Sequence, residues 1–255
     1  MEQFYSTLKA ENRKLLLKLG EKIIRQLEKP IGHHSLVGNT TFFDPDEFSW
    51  VADLEADWKM IRRELEDVLQ YQDNLPNFQD LSPDQASLTR DNLWKTYFFY
   101  AYGLKAQKNC DRCPQTTRLL EKIPGMKTAF FSILLPGKHI PEHRGPYKGL
   151  LRYHLGLIVP EPREKCRIRV HDQVRSWEEG KSLIFDDSFP HEAWNETDSV
   201  RVVLFLDLIR PLPFPWSVLN EGMIRLIAKS PFVQDANANQ QQWDKRLEQL
   251  MDSRS

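Results

Sequence analysis

The stretch Pro141–Val159, PEHRGPYKGLLRYHLGLIV, decides how the rest of the chain is read. From Leu150 onward its side chains sort by strand alternation. Leu150, Arg152, His154, Gly156 and Ile158 share one face; Leu151, Tyr153, Leu155, Leu157 and Val159 share the other, which is apolar but for one phenol. A face washed by solvent would carry Lys, Glu and Thr. An arginine and a histidine among Leu and Ile fit the lumen of a barrel better, where a few polar groups converge on a small ligand.

Working outward, further strand-like runs appear at Trp94–Tyr102, Thr128–Leu135, Cys166–Val170, Ser182–Phe185, His191–Trp194 and Val200–Leu208. Pro, Gly, Asp and Asn mark the turns between them. Many short strands at close spacing predict a mainly β sandwich or barrel with flanking helices. Residues 1–29 read as an amphipathic helix with Phe4, Leu8, Leu15, Leu19, Ile23 and Leu27 near one stripe, ended by Lys29-Pro30. Such a helix can dock on the domain, pair with a second chain or lie on a membrane; docking is the simplest expectation. Asp44-Pro45-Asp46 opens a second helical pattern through Trp50, Leu54, Trp58, Ile61, Leu65 and Leu69. Tyr71–Arg90 is polar and aperiodic and reads as a long loop. A short helix is expected around Gln115–Lys122, and two more over Trp216–Ala228 and Gln240–Met251, after Pro211, Pro213 and Pro215 close the β region. The expected division is a helical segment over 1–93 packed on the catalytic domain, a β core over 94–215 and C-terminal helices over 216–255.

With Lys+Arg 35 against Asp+Glu 36 the net charge is −1, so no global field favours nucleic acid or an anionic bilayer. No apolar run approaches the ~20 residues needed to span a membrane. Met1–Leu19 is charged throughout and lacks the apolar core of a signal peptide, so the expected compartment is the cytoplasm, with peripheral membrane contact open. The three cysteines do not form a disulfide framework. Cys110 and Cys113 make a CxxC without the second pair that a zinc site needs, and two reduced thiols in a loop are expected. Sequence alone leaves the oligomeric state open.

The chemistry-bearing residues stand out against apolar neighbours. Arg201 shares a strand face with Val203, Phe205 and Asp207. A guanidinium cannot shed its charge, so if buried it needs an anion, either Asp207 or a ligand carboxylate. Ser132 shares a face with Leu134. His143 and His191 sit at strand ends, and two histidines plus a carboxylate can hold Fe(II) with positions open for O₂. The residue two after His143 is Gly145, not an acid. Asp187 is a candidate replacement, although Asp186-Asp187-Ser188 reads more simply as a turn cap.

Together HRGPYKGLLRYHLGL, CRIRV and WEEGKSLIFDDSFPHEAWNETDSVRVVLFLDLIRP resemble the aspartyl/asparaginyl β-hydroxylase family, from about Trp94 to Pro211. The resemblance implies a double-stranded β-helix (jelly roll, cupin-like) and an Fe(II)- and 2-oxoglutarate-dependent dioxygenase that consumes O₂. It implies His143 and His191 as the iron ligands, with water where Gly145 leaves a vacancy. Arg201 would hold the distal carboxylate of 2-oxoglutarate with support from Ser132. His154 would position that cosubstrate, and Arg152 would be a second cationic anchor for cosubstrate or substrate.

The implied substrate class divides. An Asp or Asn side chain or a free amino acid comes first by family. Leu150, where peptide-hydroxylating members carry another arginine, departs from that pattern. The strings HR-P---G-LRYHLGL and NETD look closer to bacterial lipid A acyl-chain hydroxylases, which makes an acyl chain the alternative. Aromatic and aliphatic walls at the barrel mouth would favour the acyl chain; a basic rim would favour an acid or peptide. A different class of answer is a non-catalytic cupin-like protein that binds a metal or ligand.

Overall fold

Alternation over the long strands builds two antiparallel sheets in the computed structural model, which describes residues 23–82 and 88–252. The strands are β1 (Phe42–Phe43), β2 (Trp94–Ala101), β3 (Leu104–Lys105), β4 (Met126–Leu134), β5 (Lys138–His143), β6 (Leu150–Ile158), β7 (Cys166–Val170), β8 (Gln173–Ser176), β9 (Ser182–Phe185), β10 (His191–Asn195) and β11 (Arg201–Ile209). One sheet runs β1-β9-β6-β11-β4-β2-β3, the other β5-β10-β7-β8, and every pairing is antiparallel. The result is the double-stranded β-helix that the family resemblance implies, within the mainly β sandwich or barrel that the strand pattern predicts.

The two faces of the large sheet have different partners. Val202, Leu204, Leu206 and Leu208 of β11 join Leu151, Tyr153, Leu155 and Leu157 of β6 in a core covered by helices, chiefly Trp58–Leu69 through Ile61 and Leu65. The opposite face sends Phe130, Val203 and Phe205 into the space between the sheets, where Ile168 and Val170 of β7 and Ala193 of β10 meet them. Both faces of β6 and β11 are therefore covered. That is why their polar residues had to be functional or paired.

Several expectations need correction. The first helix continues to residue 33 instead of ending at Lys29-Pro30. The Pro30 carbonyl still accepts from His34 N at 3.0 Å, and Ile31 is buried with Tyr147, Leu150 and Ile224, so packing carries the helix through the proline. The stripe through Phe4, Leu8, Leu15 and Leu19 lies outside the described residues. The pattern from Trp50 is two helices, Val51–Ala56 and Trp58–Leu69, broken at Asp57. Inside the expected 71–90 loop, Phe78–Leu81 is helical, closed by a capping box in which the Asp80 carboxylate accepts from Asn77 N at 2.9 Å. Cys110 is buried inside helix Gln107–Arg112, not in a loop, and Cys113 is buried at the one-residue junction between that helix and helix Pro114–Leu120. Burial pushes both thiols up, which makes them unreactive. The last helix begins at Pro231, nine residues earlier than its polar pattern suggested (240 − 231).

Candidate active site

Two strands from the small sheet bring the histidines together. In the pairing of β5 with β10, His143 and His191 are direct register partners, and their ring centroids lie 4.1 Å apart. Cross-strand partners point to the same face, so the register alone aligns them. Each Nδ1 meets a backbone carbonyl two residues upstream, Pro141 O at 2.8 Å and Phe189 O at 3.0 Å. A carbonyl only accepts, so each Nδ1 carries the hydrogen and each Nε2 presents a bare lone pair. Burial holds both rings well toward the neutral form; for His191 the neighbouring His143 adds to it. This second-sphere arrangement prepares an imidazole to bind a metal.

No third protein ligand completes the pair: among the described residues no cluster of three His, Cys, Asp or Glu could hold an ion. Gly145 explains part of this. A Cβ there would sit 2.0 Å from Asp187 Oδ2, so the Asp187 carboxylate occupies the space that a side chain at 145 would need. The turn cap belongs to Asp186, whose Oδ1 accepts from Ser188 N at 3.0 Å and whose Oδ2 takes the buried Lys148 ammonium at 2.6 Å. Asp187 turns the other way, to Arg152 Nη2 at 2.8 Å. Burial pushes its carboxyl up to about 6, with Arg152 opposing and Asp207 adding to the rise.

Arg152 is thus held on two sides. Its Nε and Nη2 also donate to Asp207 Oδ1 at 3.2 Å, and its Cζ stacks 4.4 Å from the Phe205 ring. Arg152 and Asp207 are register partners across β6 and β11. Asp207 cannot serve Arg201, since six residues along a strand span roughly 20 Å.

Arg201 consequently has no carboxylate among the described residues. It is 2% exposed, its Cζ lies 4.3 Å over Trp177, and its one hydrogen bond runs from Nη1 to Ser132 O at 3.4 Å. Its Nε has no partner, and burial pulls the guanidinium down to about 10. His154 is in the same position. Its Nδ1 accepts from the Trp177 indole at 3.2 Å, which puts the hydrogen of the neutral ring on Nε2, and that atom is also unpartnered. Burial and then the Arg201 charge hold His154 far below its ordinary value. Two buried orphan donors, on residues that both contact Trp177, are what an anion would satisfy. Ser132 contributes its carbonyl, while its hydroxyl accepts from the Trp94 indole at 3.1 Å. Sequence reasoning missed Trp177, which joins Arg201 to His154; its context, RSWEEG, carries no apolar signal.

A cavity of about 360 Å³ opens in front of this centre. Of the predicted residues His143 and Arg152 line it, whereas Ser132, His154, His191 and Arg201 do not. Phe205 stands between the two groups, its ring 5.1 Å from that of His154. The cavity is also lined by Phe78, Leu81 and Leu88 and by Val233 and Ala236 of the last helix, from which Asn239 donates to Leu81 O at 3.2 Å.

The aspartyl/asparaginyl β-hydroxylase family model matches residues 55–211 of this sequence. The chain belongs to the aspartyl/asparaginyl β-hydroxylase family. The match begins well before Trp94, so the helix Trp58–Leu69 is part of the family domain although it shows no readable motif. An ornithine lipid ester-linked acyl 2-hydroxylase from Rhizobium tropici is 48% identical over 214 residues, 84% of this chain and 76% of that protein. The human aspartyl/asparaginyl β-hydroxylase is 37% identical over 166 residues, which are 63% of this chain and 21% of that protein. A solved cupin 2 conserved barrel domain protein from Salinispora arenicola matches at TM-score 0.32 and 12% identity, over 57% of this chain and 91% of that one. That similarity is too low to add to what the sheets already show. Both the Rhizobium and the human relatives are hydroxylases by name, and no helix among the described residues is long and apolar enough to cross a membrane.

Proposed function

We infer that the protein is an Fe(II)- and 2-oxoglutarate-dependent hydroxylase acting on the acyl chain of a lipid. The observation that carries the cofactor reading is the register pair His143–His191, two neutral imidazoles with bare Nε2 atoms close enough to share one ion. The donor set fits the metal, and the orphaned Arg201 Nε and His154 Nε2 fit a carboxylate of the cosubstrate. When bound, iron with 2-oxoglutarate and O₂ supplies oxidative decarboxylation of the keto acid and insertion of oxygen into an unactivated C–H bond.

The protein's own part is placement. His143 and His191 hold the metal from one side; Arg201 and His154 fix the diacid beyond Phe205; Trp177 and the aromatic lining exclude water. Arg152 does not serve as a free anchor for an acidic side chain, because Asp187 and Asp207 already neutralise it. That, and the aliphatic and aromatic walls running from His143 to Val233, support an acyl chain over an Asp or Asn side chain. The Rhizobium relative points to the 2-position of an ester-linked chain.

The test supplies Fe(II), 2-oxoglutarate and O₂ with an ester-linked acyl amino-acid lipid and follows succinate and hydroxylated acyl product together. Both should form, and both should vanish with His143→Ala or His191→Ala. Succinate coupled to a peptide instead would restore the Asp/Asn substrate. Metal binding with no succinate from any substrate would leave a non-catalytic binding protein.

A further inference from the structure

Helix Trp216–Ala228 is apolar on two sides. Its inner side buries Ile224 with Ile31, Tyr147, Leu150 and Leu212. Its outer side presents Val218, Leu219 and Leu226 to solvent, with nothing within 4 Å of a Cβ at Gly222 between them. A surface helix with one buried stripe normally turns charge outward. Phe214, 82% exposed, lies just before the helix. Leu36 is exposed beside it: Leu36 N donates to Pro211 O at 3.0 Å, and His34 stacks on Trp216 with ring centroids 4.7 Å apart. Ile23 is the first described residue of the neighbouring helical segment, which packs through Ile24, Leu27 and Ile31 into the same cluster. Of the exposed large hydrophobic residues among the described residues, only Leu104 and Val174 lie elsewhere. Clustering of this kind marks an interaction surface.

Charge and position identify what the surface meets. Residues 23–36 and 211–230 contain Arg25, Lys29, Arg225 and Lys229 against Glu28 and Glu221, a net +2 (4 − 2) on a chain of net −1. Lys229 and Arg225, the latter ion-paired with Glu221 one turn back at 2.9 Å, are exposed on the outer side of the helix, among the apolar residues. Two copies pressed together through this face would bring like charges close, whereas anionic headgroups would complement them. The face also adjoins the cavity mouth. Arg144 and Pro146 line the cavity, Arg144 pairs with Glu28 at 3.0 Å, and Tyr147 lies under the helix. We propose that Phe214, Val218, Leu219 and Leu226, with Leu36 and Ile23, form a membrane-docking face that sits in the interface of an anionic bilayer and directs a lipid acyl chain into the cavity. The acyl part of this statement rests on the reading of the substrate above; the docking part does not.

The experiment is flotation of the full chain with phosphatidylcholine vesicles, with or without phosphatidylglycerol at about a third of the lipid. The wild type should float with anionic vesicles, and Phe214→Ser/Leu219→Ser/Leu226→Ser should reduce the bound fraction at least tenfold while keeping its thermal midpoint. Arg225→Gln/Lys229→Gln should weaken binding about 25-fold, on the basis of roughly 1 kcal/mol per basic residue near an anionic surface. Hydroxylation of lipid in vesicles should fall in the triple variant, with turnover of detergent-dispersed lipid unchanged. If the triple variant floats like the wild type, or if the wild type is a dimer in solution that the triple substitution dissociates, the proposal is overturned. Loss of flotation in a protein that hydroxylates no acyl chain would leave the docking face standing and overturn the substrate reading alone.

Discussion

Arg201 carries a stability cost together with its proposed function. Its charge is buried over Trp177 with no carboxylate of the described residues beside it, so the fold itself offers no counter-ion to compensate its desolvation. Arg201→Met should therefore stabilise the ligand-free fold, raising the unfolding free energy by about 1–3 kcal/mol, while weakening 2-oxoglutarate binding at least a hundredfold. Thermal unfolding and calorimetric titration on the same samples read the two opposite signs; a variant that is both less stable and fully able to bind would sink the anion-site account. Gly145 gives a second test. Because Asp187 fills the space beside it, Gly145→Asp should not build a three-ligand iron site but should destabilise by about 1–3 kcal/mol through overpacking. Asp187→Ala in the same chain should recover most of that loss, a coupling that a double-mutant cycle measures. At this scale alternation was legible: it put Arg152, His154 and Arg201 on the inner face. The pairing was not, because Arg152 takes its carboxylates from β11 and from the turn before β10, and only the folded register brings those together.

Among elements, the long apolar strands β4, β6 and β11 could be read because both faces are buried and the runs are rich in Val, Ile, Leu and Phe. The strand that delivers His143 could not. Its KHIPEH is polar and contains a proline, and it is held by pairing with β10 rather than by its own propensity. Phe78–Leu81 was hidden for a similar reason: four residues show no period, yet Phe78 stacks on Trp94 at 3.9 Å and forms a cavity wall. Helix Pro114–Leu120 depends on a cap from a distant element. The Glu64 carboxylate of helix Trp58–Leu69 accepts from Gln115 N and Thr116 N, both at 2.8 Å, and from Thr116 Oγ1 at 2.6 Å. These are charge-assisted bonds at a helix start. Glu64→Ala should cost about 1–3 kcal/mol, seen as a lower denaturant midpoint. Affinity for 2-oxoglutarate should stay unchanged, since the contact lies on the helix-covered face of the sheet.

Across the whole molecule, the last helix ties the cavity to strand β2 of the large sheet through Asn109. Pro231–Asp252 supplies Val233 and Ala236 to the cavity wall, and further along the same helix Asp244 reaches Asn109. Asp244 Oδ1 accepts from Asn109 Nδ2 at 3.0 Å and from Gln240 Nε2 at 2.6 Å, and Asn109 Nδ2 in turn donates to Phe98 O of β2 at 2.9 Å. Burial raises the Asp244 carboxyl above its ordinary 3.8; its hydrogen bonds to Asn109 and Gln240 oppose the rise without cancelling it. The sign of the pH effect follows. With the folded value above the unfolded one, the native state holds its proton where the unfolded chain has lost it, so stability falls as pH rises from 3.8 through the raised value. At neutral pH a desolvated charge remains at the point where the helix docks. Asp244→Asn keeps the Oδ1 acceptor and removes that charge. Its melting temperature at pH 7 should exceed the wild type by about 2–4 °C, on the basis of a change near 1 kcal/mol, and the gap should close as pH falls below 4. Melting curves of the two proteins from pH 3.5 to pH 7.5 decide it. A gap that widens toward acid, or a variant less stable at pH 7, would mean that the ionised carboxylate holds the helix in place.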